Sequence, residues 1–116
     1  MEKEVRIVVK TQEFSNYWAT LADKVRNKYD YAVLLMQTQK VVSEKFVKKL
    51  QNTELYEVRV SIGTNEYRTM LVAADNPNFV EATKVVLLNS FLKKDTKQYK
   101  REIEKANKIL IEEGLI

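Results

Sequence analysis

Residues 55–73 read LYEVRVSIGTNEYRTMLVA, and how this stretch folds back on itself decides the architecture. Tyr56, Val58, Val60 and Ile62 alternate with Glu57, Arg59 and Ser61. Tyr67, Thr69, Leu71 and Ala73 alternate with Arg68, Met70 and Val72. A period of two is that of a strand whose two faces differ. Between the two runs lies Gly63-Thr64-Asn65-Glu66, a turn-forming block, so the stretch is a β-hairpin. With residues 63–66 as the loop, Ile62 faces Tyr67 and Ser61 faces Arg68. One face then carries Tyr56, Val58, Val60, Ile62, Tyr67, Thr69 and Leu71. The other carries Glu57, Arg59, Ser61, Arg68 and Met70. Arg59 and Arg68 become diagonal neighbours about 7–8 Å apart. Two guanidiniums on an open sheet face suit a phosphate, although charge on an outward face is also ordinary. A loop one residue longer or shorter would undo the pairing.

Working outward, Asp75–Asn78 with Pro77 is a loop. Val85 to Leu92 is apolar on both parities apart from Asn89 and Ser90, the mark of a central strand covered on both faces. From about Thr96 to Glu113, Tyr99, Ile103, Ala106 and Leu110 share a helical face, and Gly114 is a natural stop. Upstream, Val5, Ile7 and Val9 alternate with charges as a first strand. Phe14, Trp18, Leu21, Val25 and Tyr29 form one helical stripe, Asp30 is placed to cap a second helix, and Ser43 a short further turn through Leu50. The order is β-α-α-β-β-β-α. The expected class is α+β: a mostly antiparallel four-stranded sheet with helices packed on one face, in one domain over residues 1–116.

Composition narrows the chemistry. The chain has 116 residues, 45% of them hydrophobic, with 20 Lys plus Arg against 16 Asp plus Glu. A net charge of +4 permits a polyanionic partner without demanding one. Cysteine and histidine are absent, which removes disulfides, thiol nucleophiles and the commonest general base and metal ligand. Acid–base work falls to Asp, Glu, Lys, Arg or Tyr. The opening MEKEVRIVVK lacks the apolar core of a signal peptide, and no apolar run approaches the ~20 residues of a membrane span, so a cytoplasmic protein is expected.

Five basic residues, Lys93, Lys94, Lys97, Lys100 and Arg101, follow the last strand within nine positions. Such a run is often a solvated helix start. Cations nevertheless oppose the positive end of a helix dipole, so an anion nearby would be welcome.

These pieces together resemble the RelE/ParE superfamily of toxins, and more narrowly its HigB-like, phage-derived subgroup. The resemblance rests on Lys48-Lys49-Leu50, Leu55-Tyr56-Glu57-Val58-Arg59, Tyr67-Arg68, Phe91-Leu92-Lys93-Lys94, Lys97, Arg101-Glu102-Ile103 and Ala106, and spans roughly residues 46–110. It implies a RelE-like fold and a ribosome-dependent mRNA endonuclease (mRNA interferase) of a type II toxin–antitoxin system. It also implies a cognate antitoxin, often a helix-turn-helix DNA-binding protein, and a reaction in which the RNA 2′-hydroxyl attacks without metal or cofactor. Arg59, Arg68 and Lys94 match positions that hold the scissile phosphate or extend its basic patch. Lys48, Lys49, Lys93, Lys97, Lys100 and Arg101 are the expected RNA and ribosome contacts. Glu57 shares the arginine face and is a candidate base. Tyr99 lies one position from a tyrosine that some members use, and it equally fits the apolar stripe with Ile103. Arg68→Ala is expected to relieve toxicity without unfolding. Two other functions stay open: a ParE-like gyrase poison, whose relatives lack the basic cluster, and an inactive antitoxin-binding relative.

Overall fold

Ile62 pairs with Asn65, so the hairpin closes on the two residues Gly63 and Thr64 rather than four. Gly63 takes φ +59°, the positive angle that the first central position of a II′ hairpin turn demands. The register therefore sits two residues from the expected one. A shift of two preserves parity, so both faces keep their expected residues. What changes is the spacing of the arginines: Arg59 lies directly opposite Arg68 instead of diagonal to it.

The computed structural model describes residues 3–115. In chain order the elements are β1 Ile7–Lys10, α1 Gln12–Ala19, α2 Asp23–Thr38, β2 Val47–Lys49, β3 Leu55–Ile62, β4 Asn65–Ala73, β5 Lys84–Lys93 and α3 Gln98–Glu112. The sheet has five strands in the order β1-β5-β4-β3-β2; β1 runs parallel to β5 and the other pairings are antiparallel. The α+β class is as expected, but the strand count is five, not four. The added strand is β2. Ser43 does cap a turn: its Oγ accepts from Lys45 N (3.1 Å) and its carbonyl from Phe46 N (2.9 Å). The chain then extends instead of continuing as a helix, because Val47 buries itself opposite Val58.

The single stripe from Phe14 to Tyr29 is split between two helices. Thr11 Oγ1 caps α1 by accepting from Phe14 N at 3.2 Å, and Thr20 Oγ1 closes it by donating to the Tyr17 carbonyl at 2.6 Å. Asp30 lies inside α2 and accepts from the Trp18 indole at 3.2 Å.

Helices cover both faces of the sheet, not one. α1 and α2 pack on Val58, Val60, Leu71, Val85 and Leu87. α3 packs its Ala106, Ile109 and Leu110 on Leu55, Met70, Val86 and Leu88 of the opposite face. The double-sided apolar run of β5 required a second layer, since exposing either parity would leave aliphatic surface in water. A bulge adjusts the far end of β5: Leu71 pairs with Leu87 but Thr69 pairs with Ser90. The bulge brings the hydroxyls of Tyr29, Thr69 and Ser90 together (2.9 and 2.7 Å) on one face and Phe91 opposite Arg68 on the other.

The segment 75–83 is anchored by Arg6. Its buried guanidinium donates to the carbonyls of Met36 (2.6 Å), Gln39 (3.0 Å), Phe79 (3.1 Å) and Ala82 (3.1 Å) and stacks on the Phe79 ring. It satisfies the open end of α2 and ties that end to the loop.

Candidate functional site

α3 leaves the β2–β3 end of its sheet face uncovered. There a cleft of about 310 Å³ is lined by Lys48, Glu57, Arg59, Lys93 and Tyr99, with Lys49, Leu50 and Gln51 at its edge. Lys48 reaches it because β2 places it opposite Glu57, and Lys93 because it ends β5.

Glu57 organises the floor. Its Oε1 lies 2.9 Å from Arg68 Nε and 3.8 Å from Arg59 Nε. The Tyr99 hydroxyl donates to the same carboxylate, 3.0 Å from Oε1 and 3.2 Å from Oε2. Like charges directly opposed across a strand pair repel. Here Glu57 lies against both arginines, and Glu66 Oε2 adds a second contact 3.4 Å from Arg68 Nη1.

The two arginines therefore differ in kind. The Arg68 side chain is 3% exposed, and its Nη1 also donates to the Tyr67 carbonyl at 2.9 Å. It is a buried strut that fixes Glu57, not an open phosphate clamp. The Arg59 side chain is 32% exposed and makes only long contacts, to Glu57 and to the Glu44 carbonyl at 3.3 Å. Arg59 is the arginine with its charge turned to the cleft. Against the expectation that Arg68→Ala spares the fold, the truncation would take the nearest cation from a buried carboxylate.

Tyr99 serves packing and the site at once. Its ring meets Phe91 edge-on (5.4 Å, 87°), and Lys93 Nζ lies 5.6 Å from the ring centre. Burial, then the Glu57 carboxylate, raises its pKa above the ordinary phenol value. At neutral pH it is a proton donor.

Of the other expected contacts, Lys49 only edges the cleft and the rest lie outside it. Lys49 pairs with Tyr56 on the opposite face; its Nζ donates to the Thr53 carbonyl and lies 5.5 Å from the Tyr56 ring centre. Lys94, Lys97, Lys100 and Arg101 are exposed. Gln98 holds their loop, accepting from Asp95 N (3.0 Å) and donating to the Leu92 carbonyl (3.1 Å), while Asp95 accepts from Lys97 N (2.8 Å). The start of α3 is thus a solvated basic rim with no acid in its first turn. Two contributors went unread in the sequence, Glu66 and Gln98. Glu66 was visible in principle, because it lies two residues from Arg68 and hence on its face.

Comparison with known proteins gives three results. The family model described as "Phage derived protein Gp49-like (DUF891)" matches residues 16–110. No curated protein matches. Among solved structures, the free-state structure of an arginine-to-alanine mutant of the E. coli toxin RelE superposes with a TM-score of 0.63 at 13% identity, covering 91% of this chain and 98% of that one. The chain described above has a RelE-like fold.

Proposed function

This chain belongs to the Gp49-like, phage-derived protein family, and from that premise we propose that it is a HigB-like toxin that cuts mRNA on the ribosome. The whole chain acts as one toxin domain in the cytoplasm. A cognate antitoxin, a helix-turn-helix DNA-binding protein, neutralises it. The observation that carries the reading is the Glu57 carboxylate with Tyr99 and Arg59 at the floor of a basic cleft.

The chemistry follows from the charges. The RNA 2′-hydroxyl attacks the adjacent phosphorus, and the bond to the 5′-oxygen breaks in line. Tyr99 and Glu57 are bonded to each other, so they serve the attacking end together. The 2′-hydroxyl gives its proton to the Tyr99 oxygen as Tyr99 passes its own to Glu57. No free phenolate forms, which suits a phenol of raised pKa. Arg59, Lys48 and Lys93 stabilise the negative phosphate oxygens of the transition state. The departing 5′-oxygen takes its proton from solvent. The products are a 2′,3′-cyclic phosphate and a 5′-hydroxyl. Arg68 holds Glu57 in position.

The test is induced expression of wild type and Arg59→Ala in bacteria, with primer extension on a translated reporter mRNA. New cuts within codons, lost in Arg59→Ala, are expected. Arrest without cuts would replace the nuclease by a gyrase poison, and absence of arrest by an inactive antitoxin-binding protein.

A further inference from the structure

A second groove opens between α2 and β3, about 390 Å³ in volume. Its walls carry Tyr31, Phe46, Lys28, Lys45 and Arg59, with Asn27 beside them. Tyr31 is 53% exposed although it is a large aromatic on a helix that buries its other face. Its ring meets Phe46 edge-on, with centroids 5.9 Å apart and planes at 71°. Three cations edge this aromatic pair. Lys45 Nζ lies 5.9 Å from the Phe46 ring centre, and Lys28 Nζ donates to the Ser61 carbonyl at 2.9 Å. Arg59 is the third, and it lines the candidate catalytic cleft as well. Among the described residues, no carboxylate lines the groove.

We propose that this groove is a subsite for a base of single-stranded RNA, stacked on Tyr31, next to the nucleotide whose phosphate meets Arg59. The proposal rests on the endonuclease reading of the cleft and extends it by one subsite. Aromatic rings beside cations form the usual platform for unpaired bases, because every base has a π-face and every linkage a negative charge. The groove volume falls in the ~300–1,000 Å³ range of small-molecule sites. Asn27 offers amide donors and acceptors to a base edge. Arg59 lines both cavities, so a strand that leaves the cleft past its guanidinium would reach the groove.

The probe is a 2′-O-methyl oligoribonucleotide, which lacks the attacking hydroxyl and is not cut. Its binding is measured by fluorescence anisotropy for wild type, Tyr31→Ala and Tyr31→Phe, each checked for folding by urea unfolding. Tyr31→Ala is expected to weaken binding about 5- to 150-fold, the span of one lost base stack. Tyr31→Phe keeps the ring and is expected to bind within about twofold of wild type. Lys45→Ala is expected to lower the salt slope of binding by about 0.7. Equal binding by wild type and Tyr31→Ala overturns the subsite. Unchanged RNA binding with lost neutralisation by the antitoxin also overturns it, and makes the groove a protein interface. If wild type still cuts translated mRNA in either case, the subsite fails alone. A wild type that neither binds the probe nor cuts removes the endonuclease reading and the subsite with it.

Discussion

The sheet face that carries α3 has two unlike halves. Under the helix, Leu55, Met70, Val86 and Leu88 are at most 3% exposed. Beyond Tyr99 the same face presents Glu57, Arg59, Arg68 and, past the bulge that shifts the parity of β5, Lys93. Alternation and that bulge put both sets on one face; the reach of α3 decides which half is covered by the helix. The opposed arginines repeat the contrast at the scale of one residue pair. Arg68, on β4 and opposite Phe91, is sealed beneath the site, whereas Arg59, on β3 next to short β2, looks out of it. A charge is held in place on the dry side of that line and open to solvent on the wet side, which is why Arg59 is the one proposed to bind phosphate.

The contrast breaks if the sealed arginine proves dispensable. Arg68→Ala removes one partner of a buried pair and should cost about 3–5 kcal/mol of stability, read from urea unfolding. Leu88→Ala, in the dry half, should cost about 2–5 kcal/mol by leaving a cavity, with cutting per folded molecule unchanged. Arg59→Ala should do the opposite. Its exposed contacts hold under about 1 kcal/mol of stability, while the rate of cutting should fall about 10²–10³-fold, as for other lost charge-stabilising donors. Finally, Lys93→Ala should lower the salt slope of RNA binding by about 0.7 if it touches one phosphate. Lys94→Ala should leave the slope unchanged, since Lys94 lies outside the cleft; an equal effect would return the solvated rim to the site.

The sequence carried the faces of the hairpin and not its register. Alternation reports parity alone, and a slip of two residues leaves parity intact. Hence Glu57, Arg59 and Arg68 were placed on the correct face, but the opposition of the arginines and the nearness of Glu66 were lost. β2 escaped because three residues are too few to show a period, and Ser43 signals a turn equally well before a strand. The break between α1 and α2 carries no Gly or Pro, so one stripe stood for two helices. The second helical layer was legible in the double-sided β5, but the layering expected from the hairpin ignored it. Arg6 stood in an alternating strand as an outward charge. Nothing local announces that the backbone carbonyls of residues 36–40 and 79–82 converge on it. Tyr99 fitted both core and site by sequence, and the structure packs its ring on Phe91 and bonds its hydroxyl to Glu57.

The most direct measurement is single-turnover cutting of a defined mRNA on programmed ribosomes by wild type and Tyr99→Phe. The substitution keeps the ring on Phe91 and deletes only the hydroxyl that joins Glu57 to the cleft. A fall of about 10²–10⁴-fold is expected, the usual contribution of a positioned proton-transfer group, with thermal stability little changed. Cutting at the wild-type rate by a folded Tyr99→Phe would contradict that role of the Tyr99 hydroxyl.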